Sequence, residues 1–151
     1  MKFNAEVDLD RNELIMRATN EAKLIFSKPG PRKGRSLNKI INTCLIGHAP
    51  ELYLIKYEGF SDDPRPYKDV LDPVDFEPWE IKATGDEKNV GDVLRRCNQD
   101  AGEAFREYAK RLMIFIRDSK TNDYYLYGKY KYVNFRFINE NKDVQAPKTV
   151  V

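Results

Sequence analysis

YKDVLDPVDFEPWEIKAT, residues Tyr67 to Thr84, is the stretch on which the reading of the fold depends. It holds two short apolar runs with a turn between them. Val70 and Leu71 belong to the first run. Asp72-Pro73-Val74-Asp75 then carries turn chemistry, because proline presets one dihedral and aspartate bonds its own backbone. The second run alternates: Trp79, Ile81 and Ala83 take one face of a strand, and Glu80, Lys82 and Thr84 take the other. One face therefore enters a core. The other presents a carboxylate and an ammonium about 7 Å apart along the strand. If the two runs pair as a hairpin, Asp69 comes alongside Glu80 and Lys82.

Two acids and a lysine on a sheet have a chemical use. Carboxylates fixed on rigid strands supply hard oxygen ligands for Mg²⁺, which keeps several waters and also accepts substrate phosphate oxygens. Such an ion acidifies bound water and offsets charge that develops on phosphorus. A lysine beside that water orients it or takes part in proton transfer. The expected reaction is phosphodiester hydrolysis. The plain alternative is that Glu-x-Lys is an ordinary solvated strand face, since a short motif means little without its context.

Asp69, followed eleven positions later by Glu80-Ile81-Lys82, resembles the PD-(D/E)XK nuclease superfamily, the fold of many type II restriction endonucleases. The resemblance runs over roughly residues 47 to 118. It implies an α-β-β-β-α-β core, with the first acid on one strand and Glu-x-Lys on the next. It also implies a glutamate on the preceding helix, where GHAPELYLIKYEGF places Glu51. The cofactor implied is Mg²⁺, or Mn²⁺ in its place, with Asp69, Glu80 and Glu51 as ligands. DNA is the implied substrate. Many members dimerise to cut both strands, so a homodimer follows from the resemblance and not from the residues. The sequence departs from the family where Lys68, not proline, precedes Asp69. Asp72 is a second candidate for the first acid, and Asp63-Pro64 offers a reversed third. Glu51 also has an ordinary role as a favourable charge near a helix N-terminus.

The 151 residues suit one domain with a proper core. Hydrophobic residues at 41% and charged residues at 33% exclude a disordered chain. No apolar run is long enough to cross a bilayer. MKFNAEVDLD carries no apolar signal segment, and Cys44 and Cys97 make no zinc spacing, so a reduced, cytoplasmic protein is expected. The formal net charge of +2 is compatible with a local basic patch and neither requires nor excludes a nuclease. A single histidine excludes chemistry that needs two. His48 reads as structural or exposed.

Along the chain, Lys2 to Asp8 alternates as a half-buried strand, with Phe3, Ala5, Val7 and Leu9 on the inner side. Asp10 and Glu13 form a capping box for a helix starting near Arg11, with a stripe of Leu14, Ala18, Ala22 and Ile25. KPGPRKGRS is a loop whose Lys28, Arg32, Lys33 and Arg35 suit phosphate contacts, or simply solvent. Ser36 or Asn38 caps the next helix, which either kinks at Pro50 or restarts there. Asn89 is expected to cap a long helix whose apolar stripe begins at Val90, Val93, Leu94 and Cys97. LMIFI reads as a central strand covered on both faces. KYKYVNFRFI slips in alternation near Tyr132-Val133, as a bulge would make it. Its interleaved aromatic and basic residues either meet nucleic acid or pack as an aromatic sheet face.

The expected architecture is α/β: a central mixed sheet flanked by helices, a restriction-endonuclease-like core over about residues 37–138, and an additional N-terminal strand and helix. Residues 139–151 are expected to form a polar tail to a single nuclease domain spanning 1–151. The expected function is Mg²⁺-dependent cleavage of DNA, with Asp69, Glu80 and Lys82 catalytic. The rivals are a non-catalytic nucleic-acid-binding or interaction protein, or a ribonuclease or junction resolvase on the same scaffold.

Overall fold

Arg111–Arg117 is the strand around which the rest packs, and its five central side chains are all buried. The computed structural model describes residues 1–27, 35–62, 76, 78–99, 111–134 and 136–140. Its elements are β1 (Lys2–Asn4), α1 (Arg11–Ser27), α2 (Leu37–Tyr57), β2 (Trp79–Thr84), α3 (Val90–Gln99), β3 (Arg111–Arg117), β4 (Asp123–Val133) and β5 (Arg136–Asn139). The mixed sheet runs β1-β4-β3-β2, and β2 and β3 are its parallel pair. The other pairings are antiparallel. β1 and β5 share the outer edge of the long strand β4, one at each end.

Helices cover both faces. Leu112, Ile114 and Ile116 point toward Val90, Leu94 and Cys97 of α3. Met113 and Phe115 point the other way, toward Leu14 of α1 and Leu52 and Leu54 of α2. This is why LMIFI is apolar throughout rather than alternating. Ala18 and Ala22 let α1 lie close against Ile40 and Cys44 of α2. The α1 stripe is as expected, and Asp10 caps it by accepting from the Glu13 amide at 3.1 Å. Among the described residues, no helix is long and apolar enough to cross a membrane.

Ser36 is the N-cap of α2, accepting from the Lys39 amide. α2 runs unbroken past Pro50, which is buried. Proline lacks the amide that would bond the Ile46 carbonyl four residues back. The buried Tyr124 hydroxyl donates to that carbonyl instead, at 3.1 Å.

Four local expectations need correction. The first strand stops at Asn4 and not at Asp8, because the Asn4 side chain accepts from the amides of Glu6 and Val7 and folds the chain into a turn. Val7 is consequently 81% exposed, while Ala5 and Leu9 remain buried. The bulge lies earlier than Tyr132-Val133: Ile114 pairs with Gly128 and Phe115 with Leu126, which leaves Tyr127 as the extra residue. At the expected slip, the chain reverses between Val133 and Arg136, with Asn134 at φ 51°. Asp86 caps the entry to α3 through a short 3-10 turn at Glu87–Asn89, the role expected of Asn89. Finally, Asn139 and Glu140, assigned to the tail, are tied to the sheet, and the Glu140 amide donates to the Lys129 carbonyl.

Candidate active site

β2 carries the residues of interest. Its Ile81 side chain enters the core shared with α1 and α2, with Trp79 and Ala83 packed against it. Glu80 and Lys82 stand on the other face, as the alternation requires. Glu80 pairs in register with Leu112, which belongs to the α3 side. Phe76 and Trp79 form an antiparallel bridge, so the chain reverses immediately before this strand.

Glu80 is 6% exposed and is the one buried charged side chain among the described residues. One carboxylate oxygen accepts from the Ile81 amide at 3.2 Å. Lys82, two residues on, is exposed. Burying a carboxylate is costly unless it is paired or hydrogen-bonded. Its hard oxygens suit a hard cation such as Mg²⁺. Among the described residues, no three or more His, Cys, Asp or Glu side chains gather to hold an ion. Asp69, the expected second acid, and its alternatives Asp72 and Asp63 lie outside the described residues.

Glu51 sits on α2, which packs against the Ile81 face of β2 and not the Glu80 face. Its carboxylate lies 4.0 Å from His48 Nδ1, and His48 Nε2 meets Glu21 of α1. His48 thus links α2 to α1 through the Glu21 carboxylate, a structural role consistent with its solitary place in the sequence. The Cys44 thiol, one turn before His48, is pushed up to about 12, first by burial and then by the Glu21 carboxylate, with Arg35 opposing. It is no nucleophile at neutral pH. Of the basic loop, Lys28, Arg32 and Lys33 fall outside the described residues, and Arg35 is exposed just before α2.

Sequence reading missed one feature beside Glu80. The Arg111 guanidinium lies 4.0 Å from the centre of the Trp79 ring, and Lys129 Nζ lies 6.0 Å from it. Arg111 is also forked onto Glu140, with Nε and Nη2 donating to separate oxygens at 2.8 and 2.9 Å. The three strands and the tail that make this group are far apart in sequence, and no local signal joins them. The interleaved residues of β4 divide by face: Tyr130 is buried with the α3 side, while Lys129 and Lys131 are exposed opposite.

No protein-family model matches this chain, and no curated protein or solved structure does.

Proposed function

We propose that this chain is a Mg²⁺-dependent endonuclease that hydrolyses phosphodiester bonds in duplex DNA. The observation that carries the reading is Glu80, a buried carboxylate two residues from an exposed lysine on one face of β2. β2 also opens a β-α-β unit in which α3 crosses over to the parallel strand β3. This unit supports the reading, since a restriction-endonuclease-like core is also expected to place a helix and then a strand after Glu-x-Lys.

In this reading Asp69 and Glu80 hold the cation; Glu51, on the helix that packs against the opposite face of β2, is not one of its ligands. Bound Mg²⁺ supplies charge stabilisation at the phosphate and acidity to a water. Lys82 faces solvent, so its ammonium is placed to orient the attacking water and to handle its proton. Glu80 stays rigid because the β2–β3 ladder fixes its backbone.

The test is plasmid nicking with and without Mg²⁺, comparing wild type with Asp69→Asn, Glu80→Gln and Lys82→Ala. The expected result is metal-dependent nicking that falls by about 10²-fold or more in each variant, the scale of an acid–base or charge-stabilising group. Nicking that survives in all three overturns the assignment. A wild type that binds DNA but never cuts it, whether supercoiled, linear or branched, supports instead a non-catalytic nucleic-acid-binding protein. That second reading is favoured by the basic group around Trp79.

A further inference from the structure

Trp79, Arg111 and Lys131 lie side by side across β2, β3 and β4, since Trp79 pairs with Arg111 and Arg111 with Lys131. Residues paired across a sheet share a face, as do residues two apart on a strand. Lys129 therefore joins Lys131. Arg136 joins them too, because it pairs with Val133. All four cations stand on the face that α1 and α2 cover farther along the sheet, where Met113 and Phe115 are buried. Here the cover ends: Lys129, Lys131 and Arg136 are exposed, and the Arg111 side chain is 41% exposed.

Among the described residues, one acid belongs to this face, Glu140, and Arg111 engages it. Among the described residues, four cations and one carboxylate leave the face at +3. No described carboxylate is paired with Lys129, Lys131 or Arg136. Concentrated like charge on a rigid sheet repels itself and is relieved by a polyanion.

We propose that this sheet face, opposite to the one on which Glu80 stands, is a docking surface for the phosphate backbone of duplex DNA. The inference rests on the nuclease reading for its substrate. The partner's chemistry follows from the patch. The cations are set at strand and alternate-residue spacings of about 5 and 7 Å, a regular array suited to a repeating anion. Trp79 lies beneath Arg111 and is not free to stack an unpaired base, which argues for a duplex over a single strand. Among the described residues, the face presents no exposed large apolar side chain to enter a bilayer. Its described residues offer cations and no base-reading amide, which suits a grip on backbone without sequence selection.

The experiment measures anisotropy of a labelled duplex against salt concentration, without Mg²⁺, using the full chain. Lys129→Ala/Lys131→Ala/Arg136→Ala is compared with a control triple, Lys23→Ala/Lys39→Ala/Lys88→Ala, which removes the same charge from exposed helix and turn positions. The expected result is at least a tenfold loss of affinity at low salt in the first triple. Its log–log salt slope should shrink by about 2 to 3, at roughly 0.9 for each phosphate no longer neutralised. The control should lose less than threefold. Equal losses in both triples, no loss in either, or binding to phosphatidylserine vesicles without binding to duplex overturns the proposal. Duplex binding that depends on these three residues in a protein that never nicks DNA leaves the docking surface standing and removes the nuclease reading.

Discussion

The Tyr124 hydroxyl donates a 3.1 Å hydrogen bond to the Ile46 carbonyl, the acceptor that Pro50 leaves without an amide in the middle of α2. A 21-residue helix with a buried proline is thereby kept continuous, and it is pinned to β4 at the same point. Removing the hydroxyl leaves a part-buried carbonyl without this donor. Tyr124→Phe is expected to cost about 1–3 kcal/mol. In a Pro50→Ala background the backbone amide restored at that position takes over, and the same change should cost about 1 kcal/mol less. Urea unfolding of the four proteins of the cycle checks this. Absence of coupling means that the bond is incidental to the helix.

Alkaline pH offers an independent view of the same core. Burial pushes the Tyr124 phenol up to about 12 from an ordinary 10.0. Cys44 goes to about 12 from 9.0, for the reasons given above. Both groups stay neutral in the folded protein after the unfolded chain has begun to ionise. Their stabilising effect is whole below pH 9, declines as pH rises through 9 and 10, and is gone above 12. A thermal melt series should show that decline, flattened in Tyr124→Phe and Cys44→Ala. Iodoacetamide at about pH 8, below the ordinary thiol range, should label Cys44 slowly until denaturant is added.

Glu80 separates function from stability. A carboxylate buried for chemistry is tolerated to the detriment of the fold, whereas one buried for structure supports it. Glu80→Gln keeps the side chain's size and removes its charge. The expected outcome is lost nicking with a melting temperature unchanged or raised. A drop of about 4 °C or more, the size of about 1 kcal/mol in a domain of this size, would mark a structural carboxylate and count against the site.

The turn between β4 and β5 rests on Asn134, whose φ of 51° lies where asparagine and glycine are tolerated and β-branched residues are not. Asn134→Gly should leave stability nearly unchanged. Asn134→Val should cost about 1–2 kcal/mol. Because β5 carries Arg136 and leads to Glu140, the valine variant should also weaken duplex binding. Chemical unfolding and the anisotropy measurement read the two effects separately.

Much of the fold was legible because it is written in local periods. Leu14, Ala18 and Ala22 mark one helical stripe, LMIFI marks a strand buried on both sides, and Glu80-Ile81-Lys82 marks opposite faces of β2. The errors came where a short-range side-chain bond or a local backbone turn overrode the period. Asn4 curls the first strand into a turn, and Asn134 turns the chain where the alternation suggested a bulge. Neither event leaves a break in hydrophobicity that a pattern can register.

The sequence by itself determined which residues face inward in the helices and central strands, where the spacing of apolar side chains admits one period, but not at Val7, where the chain turns. It also singled out Glu80 and Lys82 as neighbours on one face, since two residues at alternate positions on a strand cannot point apart. Only the tertiary structure decided how deeply Glu80 is buried, that α2 lies against the opposite face of β2, and that Trp79, Arg111, Lys131 and Arg136 share one open surface. Those relations depend on strand register and helix placement. Both are set by packing between segments remote in the chain, which no local pattern encodes.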